Sequence, residues 1–496
     1  MTQSSASSLA GGVTLDGLFR ANVAGRPNSI ALADPSNRAS FTDGTPLRLT
    51  YAQAEERVDR LARKLRAFGM PAGSVVAVQL PNIVESAISL LAIVRAGYVA
   101  APVPMPWRRS DLVAALAGVS PKAVITLARL NEERPAEIVC EAAAELFDLS
   151  FPCAFGDLVP DGLVPLDRED FSEHPELPSS YSDAVVSLIT FDADAEGFFV
   201  SGRSDAQWLA AGLATLLEAR IESGDAIFAA LPLSSLAGLG AAFVPWLLSG
   251  GALEFVDPQA RLLGASGPEQ RAHLIAPATA LKPLTAATST PFASCVAVHR
   301  SNRTHGLDFS TVRAARVVDF YNFGEIGAVV LMRDDARSAM AVPVGPISAP
   351  SGMVGAPVVI EAKLGGAQIW LRGPMVPRES YPPGLGNYRI ARDADGFVRT
   401  GFRCRSDGNG GLVVEAGPDR VASIGGLRFG LDDLQTRFSA IGEDVKVTAI
   451  EDPLLGERLR IEAADPEAAA AALQAAGHSQ LVVDAAKGEN ARRAAG

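Results

Sequence analysis

The sequence predicts an α/β fold. Apolar residues alternate between helical spacing and short continuous runs, the same alternation returns further along the chain, and 48% of the residues are hydrophobic against 20% charged. Repeated strand, helix, strand units favour parallel sheets covered by helices on both faces. That apolar content can offset chain entropy in a packed core. A length of 496 residues suits one large bipartite body with a small appendage.

From Tyr51 to Phe68 apolar residues recur at Ala54, Val58, Leu61, Ala62 and Leu65 behind Thr50, a suitable N-cap, which predicts a helix ended by Gly69. Ser74 to Leu80 reads as a buried strand, Glu85 to Ala96 as a helix and Val99 to Val103 as a strand. The second series runs through Val185 to Phe191, Asp205 to Ala219, Ala226 to Leu231, Gly238 to Leu248 and Leu253 to Val256. Between about Pro343 and Arg399 short β-like runs separated by Gly and Pro, such as Val358 to Ala362 and Gln368 to Leu371, predict a small β subdomain. We place a domain boundary near Ala416, giving 1–416 and a short α+β module at 417–496 with a helix at Pro466 to Ala476 and a basic tail. No repeat of 20 to 50 residues is visible, against solenoids and propellers.

The formal charge of -12 argues against a nucleic-acid partner, since phosphate backbones need clustered Lys and Arg. Cys140, Cys153, Cys295 and Cys404 show no zinc or disulfide spacing. With a polar amino-terminal stretch unlike a secretory signal, this leads us to expect a cytoplasmic protein. Ala237 to Val256 is nearly uncharged and close to a bilayer span in length, but Pro245, its glycines and Glu254 point to a buried helix, a turn and a strand, without membrane insertion.

Particular motifs add a resemblance. Leu49-Thr50-Tyr51, Gly73 to Asn82 and Leu90 to Val103 look like the amino-terminal part of AMP-forming acyl-CoA synthetases. LPLSSLAGLG (231–240), YNFGEIG (321–327), VGAP (354–357), IWLRGP (369–374), DGFVRTGF (395–402) and IGGLRFGLDDL (424–434) follow in the order of that adenylate-forming superfamily. Asp452 to Leu459 resembles the helix-to-strand passage of its small domain. The resemblance implies a large body followed by a small carboxy-terminal domain, ATP and magnesium as cofactors, a small-molecule carboxylic acid or its thioester as substrate, and CoA or an acyl carrier protein as acceptor.

Activating an acid requires bringing a carboxylate against the α-phosphate of ATP, so catalysis is largely positioning and charge neutralisation. In the superfamily a Gly-rich loop ending in Lys holds the phosphates, a Glu holds magnesium, an Asp holds the ribose and a small-domain Lys reaches the reacting carboxylate. Here the loop position, Thr190 to Asp205, carries Asp192, Asp194 and Glu196 and no Lys, so we read it as a remodelled surface loop. The resemblance places Tyr321 in the adenine-stacking position, either stacking on a ring or simply packing, and Asn322 beside it in the cofactor-binding set. It places Glu325 as the catalytic metal ligand, with a solvated loop acid as the alternative. Gly324 stands where the pattern has Thr. Gly355 and Pro357 fall in the cofactor-binding set, and Ser234, Ser235, Leu236, Gly238, Phe323 and Gly324 in the acid pocket.

The ribose Asp position is Phe402, which accepts no hydrogen bond. A ribose-contacting Arg falls on Gly417, leaving Arg403, Arg405 and Arg420 as neighbours that are substitutes or exposed loop charges. The catalytic Lys position falls on Glu489, two residues after Lys487. His299 and His305 form no recognisable catalytic pair, and no nucleophile constellation appears. These replacements predict an acyl-CoA/acyl-ACP synthetase-like protein that recognises a fatty or aromatic acid or its activated form, has impaired or lost adenylation, and binds a ligand, carrier protein or partner enzyme. The alternative is an active acid-thiol ligase with a rebuilt nucleotide site.

Overall fold

The computed structural model describes residues 12–488 apart from 168–174, 179–184, 196, 258–270, 287, 289, 300–306, 384–389, 391, 441–444 and 453–454. Among the described residues the strands form four sheets. A seven-stranded sheet runs Val164–Pro165, Phe151–Phe155, Ala123–Leu127, Val75–Val78, Val99–Pro102, Val186–Asp194 and Gly197–Ser204. An eight-stranded sheet runs from Gly327–Met332 through Val317–Phe323, Ser294–His299, Ala272–Pro277, Ala226–Ala229, Ala252–Phe255 and Ile30–Ala33 to Arg48–Thr50. Both are parallel within and antiparallel at one or both edges, so the α/β expectation holds.

The interior strands are apolar along their whole length because helices cover them: Val75–Val78, Val99–Pro102 and Ala226–Ala229 are buried at every residue. Helix Tyr51–Ala67 starts on a capping box in which Thr50 and Gln53 each satisfy the other's backbone N–H. The Tyr51 hydroxyl donates to the Gly251 carbonyl at 2.9 Å, tying that helix to the turn before Ala252–Phe255. The stretch considered for a membrane is a buried helical run, Leu236–Gly238, Leu239–Phe243 and Val244–Ser249, with a π-helical middle, a left-handed Gly250 and then the strand. No helix among the described residues is long and apolar enough to cross a bilayer.

The small β sheet is antiparallel and extends from Val342 to Ala416, past the 343–399 read from composition. Val398–Ser406 belongs to it because its residues alternate buried and exposed as a half-buried strand requires, and Gly411–Ala416 pairs with it. The carboxy-terminal module forms its own four-stranded sheet, Leu427–Gly430, Val421–Ile424, Gly456–Glu462 and Lys446–Asp452, packed on helices Leu431–Ala440, Pro466–Ala475 and Gln480–Lys487. Asp452 ends one strand and Gly456 to Leu459 lie in the antiparallel strand paired with it, which corrects the helix-to-strand reading; 453–454 lie outside the described residues.

Candidate functional site

A crevice forms where the small module meets the large body. It is lined by Pro104, Trp107, Phe191, Asp192, Phe198, Ser234, Ser235, Asn322, Gly324, Glu325, Gly426, Leu427 and Arg428. Four segments supply the large-body wall: Pro104 and Trp107 after strand Val99–Pro102, the hairpin Val186–Asp194/Gly197–Ser204, the start of the helical run at Leu236, and the turn after strand Val317–Phe323. The segment expected to be a surface loop is thus a β-hairpin, a correction. Its alternation puts Asp192, Ser201 and Arg203 inside, where each finds polar partners. Glu196, in its turn, lies outside the described residues.

Glu325 is 4% exposed, so it is not a solvated loop acid. Its two carboxylate oxygens accept the Leu236 N–H at 2.9 and 3.1 Å, at the start of a helical run where negative charge is favoured. Its backbone N–H donates to Asp192 Oδ2 at 2.8 Å, and its carbonyl accepts from Ser201 Oγ at 2.9 Å and Arg203 Nη2 at 2.6 Å. Burial pushes the Glu325 carboxyl up to about 7; Arg203 lowers it and the Asp192 charge raises it further. Burial likewise lowers Arg203 to about 10.

A carboxyl held above its ordinary 4.5 in the folded chain keeps its proton when the unfolded chain has released it. Its stabilising contribution is complete below about pH 4.5 and is lost as pH rises through about 7, in all about 3 kcal/mol. The advantage of Glu325→Gln over the parent chain is therefore expected to grow from pH 5 to pH 8. Urea titrations of both proteins across that range check it; a pH-independent difference would reject the buried-acid assignment.

Arg428, from strand Leu427–Gly430, crosses from the small module into the crevice. Its Nη1 lies 3.1 and 3.2 Å from the two Asp192 oxygens, with side chains 9% and 4% exposed. Its guanidinium carbon sits 4.8 Å from the centre of the Phe402 ring, which meets Phe323 edge to face at 5.2 Å. Gly324 has φ +63°, and a Cβ there would collide with Asp192 Oδ2 and Arg428 Nη1. Three departures noted in the sequence, Asp192, Gly324 and Phe402, are therefore parts of one arrangement: a carboxylate, the space beside it and an aromatic floor, all used by Arg428.

Of the other residues singled out from sequence, Ser234, Ser235 and Asn322 line the crevice. Leu236 holds Glu325, and Phe323 supports Phe402. Gly238 allows a close pass of the Pro232 carbonyl, where any Cβ would clash. Tyr321 lies outside this lining: its ring stacks on His299 at 4.9 Å and its hydroxyl donates to the Met340 carbonyl at 2.6 Å. His299 pairs with Asp319 at 2.7 Å, which also binds Arg333, so this histidine is a core residue; His305 is outside the described residues. Gly355 and Pro357 lie exposed on the small β sheet's connecting loop, away from the crevice. Arg403, Arg405 and Arg420 pair with Asp419, Glu415 and Asp432 on the surface, in keeping with their reading as exposed charges. Lys487 closes the last described helix, and Glu489 lies beyond the described residues. Sequence reasoning missed Arg203, Trp107 and Arg428; the signal for Arg428 was a lone cation inside the apolar strand LRFG.

These residues do not fit magnesium-ATP in the docked arrangement. Both Asp192 oxygens are taken by Arg428 and both Glu325 oxygens by Leu236 N–H. Among the described residues no three His, Cys, Asp or Glu side chains converge as metal ligands. Within this lining the cavity is ≈ 30 Å³, enough for a water beside Asn322 Oδ1, which has no partner among the described residues.

Residues 19–173 match the AMP-binding enzyme family. The chondramide synthase of Chondromyces crocatus is 33% identical over 128 residues, 26% of this chain and 3% of that protein. A probable CoA ligase of Humulus lupulus, CCL9, is 27% identical over 257 residues, 49% of this chain and 44% of that one. The chain thus spans less than half the length of either relative. An artificially fused adenylation-PCP di-domain from Klebsiella oxytoca, NpsA-ThdA, superposes with a TM-score of 0.69 at 15% identity, covering 96% of this chain and 93% of that one. Residues 19–173 are thus similar to the AMP-binding enzyme family, and the chain shares the fold of that adenylation protein.

Proposed function

We propose that this protein recognises a carboxylic acid or its activated acyl form on an adenylate-forming scaffold and does not carry out ATP-dependent adenylation. The observation that carries the reading is the buried Arg428–Asp192 pair on the Phe402 face, which fills the place where the resemblance puts phosphate and ribose contacts. Trp107, Phe191 and Phe198 offer an apolar wall suited to an acyl or aryl group. With room for only a water in the docked arrangement, such a ligand enters with the small module displaced. A carrier protein or partner enzyme is the corresponding macromolecular partner, in keeping with the carrier domain fused to the Klebsiella adenylation protein.

Incubation with ATP, magnesium and a panel of aliphatic and aromatic acids is expected to release no AMP above the acid-free control, and calorimetry to detect no ATP binding. Acid-dependent AMP release would overturn the proposal and establish instead an active acid-thiol ligase, with CoA or an acyl carrier protein as acceptor.

A further inference from the structure

We propose that the hairpin Val186–Ser204 is a docking post that locks the carboxy-terminal module onto the large body, with Arg428 as its key, so that breaking the Arg428–Asp192 pair opens the crevice. The inference deepens the reading of this crevice as self-filled, and names what controls access to it.

Contacts along the hairpin and the adjoining helix support it independently of the key. The hairpin turn meets the start of helix Leu431–Ala440: Asp433 N–H donates to the Ala195 carbonyl at 3.0 Å. Gly430 lies so close to the Asp194 carbonyl that a Cβ would collide with it. Arg437, on the same helix, stands 3.6 Å from the buried Asp111 and 5.5 Å from the centre of the Phe198 ring. Beside them Ser110 N–H donates to the Gly477 carbonyl at 2.8 Å, and Arg109 Nη2 to the Ala476 carbonyl at 2.9 Å, where cations favour the end of helix Pro466–Ala475.

The key differs from these contacts in burial. Asp192 is ionisable, 4% exposed, and bound to Glu325 N–H on one side and Arg428 on the other. Removing the guanidinium leaves an uncompensated charge inside the interface, which the molecule relieves by letting water in, that is, by undocking. Neighbouring pairs such as Arg420–Asp432 are half exposed and lie within the small module, so they exert no comparable hold.

The test uses the full chain, without nucleotide, spin-labelled at Leu158→Cys on the large body and Glu467→Cys on the small module in a Cys140→Ala background; the other three cysteines are buried. The parent is expected to give one narrow interspin distance. Arg428→Asp, and more mildly Asp192→Asn, are expected to broaden it, with the undocked-to-docked ratio rising about tenfold or more for the charge reversal. Arg420→Ala is expected to leave it narrow. An unchanged narrow distance in Arg428→Asp would overturn the lock, as would equal broadening in Arg420→Ala, which would mark general weakening of the small module. Because no ATP is present, this outcome is separate from AMP release: the lock can fail with adenylation absent, and adenylation can be found with the lock intact.

Discussion

Arg203→Met is expected to cost about 3–5 kcal/mol of stability, read as a lower urea midpoint with an unchanged slope. Arg203 is fully buried, yet among the described residues no carboxylate binds it directly. Its guanidinium donates instead to the carbonyls of Met375 at 2.8 Å, Glu325 at 2.6 Å and Ile326 at 3.3 Å, and lies 5.1 Å from the centre of the Trp208 ring. Those carbonyls come from the turn that carries Glu325 and from the segment after strand Gln368–Arg372, so one cation joins the hairpin, the eight-stranded sheet and the small β sheet. Methionine roughly keeps the volume but removes the guanidinium donors from the Met375 and Ile326 carbonyls, each an expensive buried group, while the Glu325 carbonyl keeps only Ser201 Oγ. It also removes the charge that lowers the Glu325 carboxyl, so the proton on Glu325 is held more firmly and the pH dependence of stability moves upward. Arg203→Lys restores one donor at most of the three positions and is expected to recover only part of the loss. A loss below about 1 kcal/mol for the methionine variant would show that the carbonyls find other donors.

The periodicities that gave the α/β order were local, and so were legible. Ala54, Val58, Leu61 and Leu65 mark one face of a helix whatever it packs against, and Val75–Val78 is apolar throughout because a strand covered on both faces has no solvent side. The site was legible only in part, because its meaning is not local. Asp192, Gly324 and Phe402 each looked like the loss of a nucleotide contact. Only their convergence on Arg428, 236 residues from Asp192 in sequence, turns three losses into one construction. Tyr321 shows the converse: the motif placed it at a pocket, whereas Asp319 and Met340 satisfy its hydroxyl within the core. Arg203 was passed over because a cation after Ser-Gly reads as a loop residue until the hairpin register turns it inward.

Putting threonine, the residue of the family pattern, at Gly324 is expected to cost about 3 kcal/mol, composed of roughly 1–2 for a left-handed backbone at φ +63° and the remainder for displaced neighbours. The displaced neighbours are the two halves of the ion pair, so the cost depends on whether that pair is present. Gly324→Ala isolates the effect with the smallest side chain. In the parent it must push Asp192 and Arg428 aside, whereas in an Arg428→Ala background only Asp192, held by the Glu325 N–H alone, has to yield and most of the remaining cost is backbone strain. The double mutant is therefore expected to cost about 1–2 kcal/mol less than the sum of the two single variants. Strict additivity in urea titrations would mean that Gly324 is fixed by its turn alone. Coupling would mean that glycine at this position and arginine at 428 depend on one another, and that restoring the family's threonine singly disrupts the present arrangement without rebuilding a nucleotide site.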